Sequence, residues 1–197
     1  MTNVDAQDLF VLKTLVDSIA PFPAGLWSEF SGLFEPYSAK RKICLTAQGE
    51  EEKFLYVVLE GVQRVYFLDQ NGREATLVFT YPPSFAGVLD AMMLGGKSRY
   101  YFETLTTSRF LRAHISSVLA LKNEIAVSEL LRLGLSGSLS GLLERLVETQ
   151  VFSSEEKFRS LLRRSPHILN WIPHKYLANY LGIDPTNFSK LINSISI

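Results

Sequence analysis

The feature that most restricts how this chain can fold lies near its carboxyl end, in the segment IPHKYLANYLGIDPTNFSKLINSI (172–195). Apolar residues recur there at helical spacing on both sides of Gly182, which can adopt the left-handed turn that other residues resist. Asp184 is a favourable N-cap, and Pro185 stands where a helix best tolerates proline. The small Ala178, four residues before the glycine, allows the second helix to approach closely. This spacing predicts a helix-turn-helix unit.

The outward face of the second helix is expected to be small, polar and weakly cationic. Its residues are Pro185, Thr186, Asn187, Ser189, Lys190 and Asn193. A short helix with such a face suits the major groove of DNA. Thr186 and Asn187 are placed to read bases, with Asn187 a candidate partner for adenine, and Lys175 is placed for a phosphate. The alternative is a plain helical hairpin, which is common in all-α proteins.

The distribution of charge favours the DNA-binding interpretation, although the net charge of the chain is zero. Residues 1–149 contain 14 Lys and Arg against 17 Asp and Glu, whereas residues 150–197 contain 6 against 3. A mildly basic carboxyl-terminal third beside an acidic body is typical of a small DNA-reading module.

The first half of the chain predicts two short helices followed by a set of strands. Helical spacing of apolar residues covers 6–19 and 26–34. Between 35 and 114, β-rich runs alternate with turn signals, and Asn71-Gly72 is a strong hairpin signal. The predicted strands are 42–46, 54–59, 62–68, 75–81, 102–105 and 110–114. Short strands at this spacing indicate a sandwich or barrel.

Helices then replace strands. A short helix is predicted at 116–122, a long one at Ile125–Val151, and a further one beginning at 152, capped by Ser153 or Ser154 and ended or bent by Pro166. A leucine stripe runs along the long helix at intervals of 4, 3 and 4 residues: Leu135, Leu139, Leu142 and Leu146. The heptad-like spacing is typical of a helix pair across a dimer axis, and the alternative is packing on the β domain.

The sequence therefore predicts an α+β fold with three parts. An N-terminal, jelly-roll-like double-stranded β-roll with flanking helices (1–123) is the expected sensory domain. A long dimerisation helix (124–151) links it to a C-terminal helix-turn-helix domain (152–197).

Two stretches resemble a known family. LTAQGEEEKFLYVVLEGVQRVYFLDQNGREATLVFTYPPSFAG (45–87) is similar to the cyclic-nucleotide-binding type of β-roll of the Crp/Fnr family. EKFRSLLRRSPHILNWIPHKYLANYLGIDPTNFSKL (156–191) resembles the branch of that family common in the Bacteroidetes. The resemblance implies a homodimeric transcription regulator that binds a palindromic operator in double-stranded DNA. The resemblance also allows RNA polymerase as a further partner.

The chain departs from the family at the effector pocket. Nucleotide-binding members of the family hold ribose and cyclic phosphate with a Gly-Glu pair and an Arg-Ser or Arg-Thr pair. The corresponding pairs here are Gly87-Val88 and Arg99-Tyr100, so a carboxylate and a small hydroxyl are missing. No cofactor is therefore expected and cyclic nucleotides should not bind in the usual way, whereas another small-molecule effector stays open. Arg99 is interpreted as a surface or strand-end residue, and Tyr100 and Phe102, on one face of a strand, either fill the pocket or shape it for an apolar ligand.

Other classes of protein are disfavoured by counting. One cysteine, Cys44, gives neither an internal disulfide nor the roughly four ligands of an iron–sulfur cluster. The three histidines, His114, His167 and His174, form no recognisable metal site or catalytic triad, so an enzyme is not expected. Without a secretory signal or an apolar run of about 20 residues, the expected location is the cytoplasm, with no membrane partner.

The end of the chain leaves one choice between functions. In the family a β-hairpin wing usually follows the recognition helix, whereas this chain stops at Ile197, as the branch it resembles often does. The leading hypothesis is a dimeric DNA-binding regulator. The alternative is a ligand-sensing or protein-interacting dimer of the same fold that has lost specific DNA binding, since Lys190 is the one cation on the recognition face.

Overall fold

The structure, a computed structural model, describes residues 4–194. The helices are α1 (Ala6–Asp17), α2 (Ala24–Ser31), α3 (Leu89–Leu94), α4 (Ile115–Ala120), α5 (Ile125–Val151), α6 (Ser154–Arg164), α7 (Ile168–Trp171), α8 (His174–Leu181) and α9 (Pro185–Ser194). The strands are β1 (Glu35–Ala39), β2 (Cys44–Thr46), β3 (Phe54–Glu60), β4 (Gln63–Leu68), β5 (Glu74–Thr80), β6 (Ser84–Ala86), β7 (Tyr101–Thr104) and β8 (Ser108–His114).

The strands form the predicted β-roll from two antiparallel four-stranded sheets. Their orders are β1-β8-β3-β6 and β2-β7-β4-β5. The hairpin between β4 and β5 turns at Asn71-Gly72, where Gly72 has the positive φ of 77° that such a turn needs. Tyr56 and Phe110 of the first sheet meet Val65 and Phe102 of the second in a common core. The roll interior is therefore filled by side chains from both sheets.

The first sheet is covered on its other face by helices. Val57, on the opposite side of β3 from Tyr56, joins a second core with Leu12 and Phe30 of the two N-terminal helices. Val127 and Leu130 from the start of α5 belong to the same cluster. The N-terminal helices thus protect the apolar outer face of the roll, and only the first turns of α5 share in that packing.

A third core lies in the carboxyl-terminal helices. Its large side chains include Phe158 of α6, Leu177 of α8 and Phe188 of α9. Helix α6 begins with a capping box, in which Ser153 and Glu156 satisfy each other's backbone N–H groups. Val62 and Leu105 of the roll also belong to this core, so the helical unit packs directly against the second sheet.

The predicted elements are confirmed with shifts of a few residues in their bounds, and four further elements are present. The long helix has its predicted bounds, Ile125–Val151, and α6 ends at Arg164, because the residue before Pro166 is disfavoured in a helix. The sequence patterns do not predict the short helices α3 and α7 or the strands β1 and β6. β1 reads EPYSA, with a proline tolerated at the sheet edge, and β6 has three residues, too few for a recognisable alternation.

Candidate DNA-binding face and effector pocket

The turn between α8 and α9 has the predicted geometry. Gly182 lies in the left-handed region at φ 64° and ψ 35°. Its N–H donates to the carbonyl of Asn179 at 3.1 Å, and the N–H of Ile183 donates to that of Ala178 at 2.9 Å. This is the glycine-dependent C-cap that closes many helices. Asp184 then caps α9 by accepting from the N–H of Thr186 at 2.9 Å.

Packing fixes which side of α9 faces outward. Phe188 is buried, with its ring edge-on to that of Phe158 at 5.3 Å. Ala178 is also buried in the same core, as close approach of the two helices requires. All of the residues predicted to contact DNA are exposed: Lys175, Pro185, Thr186, Asn187, Ser189, Lys190 and Asn193. The helix-turn-helix unit therefore presents a free polar face on a well-packed support.

The free face carries few charges. Lys190 is exposed and makes no ion pair among residues 4–194, and the Nζ of Lys175 lies 4.5 Å from the ring centre of Tyr176. Two further cations of this unit are already paired: Arg159 with Glu155, and Arg164 with Glu148. On α8 and α9 themselves, Lys175 and Lys190 are the cations placed for phosphate contact.

The predicted pocket residues Gly87 and Val88 lie inside the roll, where space is occupied. Gly87 has a positive φ of 133°, and an added Cβ would meet the side chain of Met92 at 3.0 Å. Val88 is 1% exposed. The ring of Phe102 is fully buried and lies 5.6 Å from that of Tyr56. Side chains therefore fill the roll at this point.

A carboxylate that the sequence did not indicate closes the same region. Glu52 is 5% exposed and accepts from the N–H of Val88 at 3.0 Å and from the hydroxyl of Thr46 at 2.8 Å. Burial raises the pKa of Glu52 above its ordinary value, although the hydrogen bonds from Val88 and Thr46 act in the opposite direction. In the run of three glutamates at 50–52, nothing marks the third as buried, so its position depends on the fold.

Arg99 lies at the surface, with its guanidinium 5.5 Å from the ring centre of Tyr100. The Arg99 side chain is 74% exposed and lies 3.4 Å from the carboxylate of Asp90, which fits the surface interpretation of this arginine. Tyr100 is partly buried and packs on the roll interior beside Phe102. The region contains the rings that the sequence suggested.

A cavity adjoins the predicted position, because Glu52, which accepts from the N–H of Val88, also lines it. A cavity of about 450 Å³ is bordered by β2 and by the loop that contains Glu50 and Glu51. Arg112 lines it, with its guanidinium 4.0 Å from the ring centre of Tyr37 and 4.3 Å from that of Phe54. The four predicted pocket residues are not among those that line this cavity. The predicted residues and the cavity meet at Glu52, whose carboxylate bonds to the backbone of Val88 and borders the open space.

The middle of α5 is exposed. Val127 and Leu130 near its start and Glu148 near its end are buried, but the residues between them are not. The leucine stripe is largely in solvent, at 38% for Leu135, 58% for Leu139, 49% for Leu142 and 52% for Leu146. The alternative in which the stripe packs on the β domain is therefore wrong.

Comparison with known proteins agrees with the architecture. Residues 38–124 match the cyclic nucleotide-binding domain family. The structure of FixK2 from Bradyrhizobium japonicum is similar over 81% of this chain and 83% of its own, with 18% identity and a TM-score of 0.74. A transcriptional regulator of the Crp/Fnr family from Eubacterium rectale is similar over 87% of this chain and 82% of its own, with 16% identity and a TM-score of 0.69. The c-di-GMP responsive regulator CLP of Xanthomonas campestris is similar over 87% of this chain and 90% of its own, with 14% identity and a TM-score of 0.65.

These similarities show the fold. The segment 38–124 is similar to cyclic nucleotide-binding domains, and the chain has the fold of the Crp/Fnr transcription regulators. No curated protein matches it in sequence. Among residues 4–194, no helix is both long enough and apolar enough to span a membrane.

Proposed function

We propose that this chain is a homodimeric, DNA-binding transcription regulator whose β-roll does not hold a cyclic nucleotide in the usual way. The observation that carries the proposal is the free face of α9. Residues of the kind that read base edges are exposed there, while Phe188 anchors the helix from behind. The similar structures include a transcriptional regulator of the Crp/Fnr family, which supports the same assignment.

The exposed leucine stripe supports the dimer. Each leucine that leaves water on association contributes on the order of 1.5–3 kcal/mol when fully buried, and a second copy of α5 offers a matching apolar surface. In such a dimer the two α9 helices would enter successive major grooves, roughly 34 Å apart, on a palindromic site. Residues 1–123, 124–151 and 152–197 then act as sensory domain, dimerisation helix and DNA-binding domain.

A binding assay tests the DNA-binding function. Fragments selected from genomic DNA are titrated by fluorescence anisotropy at several salt concentrations. The logarithm of the affinity should fall linearly with the logarithm of salt concentration, by about 0.9 per phosphate neutralised. Affinity that is absent, or that does not depend on salt, would contradict the proposal.

The few cations on the α9 face favour one second candidate, a sensing or protein-interacting dimer without specific DNA binding. The two functions differ in a single comparison. A dimer in sedimentation that selects no DNA fragment would support the second candidate, and a dimer that selects a palindrome would support the first.

The pocket part of the proposal concerns cAMP and cGMP. Because Val88 is buried and its N–H is already bonded to Glu52, neither nucleotide should show saturable binding in calorimetry at micromolar to millimolar concentration. A micromolar dissociation constant for either nucleotide would overturn this part alone.

A further inference from the structure

The helix-turn-helix unit is attached to the roll at an edge strand. In the second sheet β5 pairs with β4 on one side only, so its other edge has backbone groups that need partners. Asn179 of α8 supplies them. Its Oδ1 accepts from the N–H of Thr76 at 2.7 Å, and its Nδ2 donates to the carbonyl of Glu74 at 2.8 Å. One carboxamide thus replaces the pairing of a neighbouring strand.

Two contacts flank this amide pair. The ring of Tyr180 lies 5.1 Å from that of Phe79 on β5. On the other side, the ring centre of Tyr176 lies 4.3 Å from the guanidinium of Arg64. Arg64 is itself held by Glu103 at 2.6 Å, and its side chain is 3% exposed, so it cannot move away without losing buried charge-assisted bonds. The docking surface on the roll is therefore rigid.

The long helix holds the same unit from a second direction. Arg145 of α5 donates to the backbone carbonyl of Tyr180, and its guanidinium lies 4.2 Å from the Tyr180 ring centre. Nearby, Glu148 accepts from Ser160 and Arg164 of α6. Helix α8 is thus fixed relative to both the roll and α5.

The docked position leaves the α9 face exposed. We propose that Asn179 is a positioning residue, which fixes α8 against the edge of β5 and thereby sets the place of the recognition helix that follows it. The inference rests on the proposed function.

The test compares a palindrome with a single half-site. Asn179→Ala should keep the fold, because Asn179 is only partly buried and alanine is the strongest helix former. If Asn179 sets the geometry of two linked modules, its loss should weaken binding to the palindrome by at least roughly tenfold and leave half-site binding unchanged. Asn170→Ala, at an asparagine of the same domain, is the matched control and should change neither.

A second measurement follows the hydrogen bond between Asn179 and the Thr76 amide. Hydrogen exchange at the Thr76 amide should be faster in Asn179→Ala and unchanged in Asn170→Ala. Unchanged exchange at Thr76, unchanged palindrome binding, or equal losses on palindrome and half-site would each overturn the positioning role. If the wild type binds no DNA, the proposed function fails, and exchange at Thr76 still decides whether Asn179 holds α8 on β5.

Discussion

The interior of the β-roll and the middle of α5 are both apolar, but the chain closes only the first. Phe102 is fully buried between the sheets, whereas Leu139 is 58% exposed. Around Val88 and Phe102 the roll is filled by its own side chains, and a cavity of about 450 Å³ opens beside Glu52. The leucine stripe has no partner among the described residues.

The two regions differ in whether their apolar side chains are buried within the chain or left for a second molecule to cover. A packed cluster keeps its dispersion contacts with no ligand present, so the rings around Phe102 need no partner molecule. An exposed stripe of leucines with glycines at 134, 137 and 141, each costing about 1 kcal/mol of helix propensity relative to alanine, is a surface for a second molecule. Added Cβ atoms at these glycines would meet nothing within 4 Å, so packing inside the chain does not explain them.

The largest effect is expected when charge is placed in the leucine stripe of α5, which is the proposed dimer contact. Replacing Leu135 and Leu142 together with aspartate would put unpaired carboxylates into a desolvated interface, at several kcal/mol per dimer. We expect at least roughly thousandfold weaker dimerisation and loss of palindrome binding, measured by sedimentation and anisotropy. Ser140→Asp, an exposed position away from the stripe, is the matched control and should remain dimeric. A wild type already monomeric at micromolar concentration would refute the dimer.

The packing of the roll interior is tested by removing one of its rings. Phe102→Ala would leave a cavity in the roll and should lower the free energy of unfolding by about 3–5 kcal/mol. The measurement is denaturant unfolding at fixed protein concentration, since a dimer's stability depends on concentration. Phe10, which is exposed on α1, provides the control, and Phe10→Ala should change stability by less than about 0.5 kcal/mol. Similar losses in both variants would mean that the interior is not tightly packed.

A third change tests the end of α5, where Glu148 is buried and bonds to α6. Burial alone would raise the pKa of Glu148, but hydrogen bonds from Arg164 and Ser160 outweigh it and lower the pKa to about 2, from an ordinary value of 4.5. A carboxyl whose folded pKa is depressed stabilises the fold above its unfolded pKa, and this stabilisation is lost as the pH falls from about 4.5 towards 2.

Glu148→Gln should therefore cost about 2–3 kcal/mol at pH 7, less than a fully buried pair because Arg164 is partly exposed. Denaturant unfolding at pH 7 and at pH 3 measures the difference, which should shrink at the lower pH. Arg159→Gln, which breaks the exposed pair with Glu155, is the control and should cost less than about 1 kcal/mol at either pH. A difference between wild type and Glu148→Gln that is independent of pH would contradict this account.

The same contrast explains what the sequence could predict. Local signals were sufficient where the chain satisfies itself locally: Gly182 and Asp184 have their predicted roles, and Ser153, one of the two serines predicted to cap α6, is its N-cap. The leucine spacing likewise marked Ile125–Val151. The docking of Asn179 on β5 joins residues 103 and 105 positions apart, and no periodicity records such a pair.

The pocket shows the same limit. Val88 and Tyr100 in place of the family's polar groups suggested an altered site. The buried Glu52 that bonds to Val88 comes from a different loop, 36 residues away. Its run of glutamates reads as a solvated turn, and only the three-dimensional fold shows which carboxylate is inside.

The smallest expected effect concerns the second open surface, the face of α9. Lys190→Ala removes one exposed cation per subunit and should weaken binding to all sequences alike, flattening the salt slope by about one unit for each phosphate that is no longer neutralised. Lys122→Ala, at an exposed lysine before α5, is the matched control.

Asn187→Ala should instead relax preference at one base pair of each half-site, by about 1–3 kcal/mol if its contact is bidentate. Because one variant changes the salt slope and the other the sequence preference, anisotropy on a panel of operators separates them. If both variants keep the affinity and the specificity of the wild type, this open face is not the surface that contacts DNA.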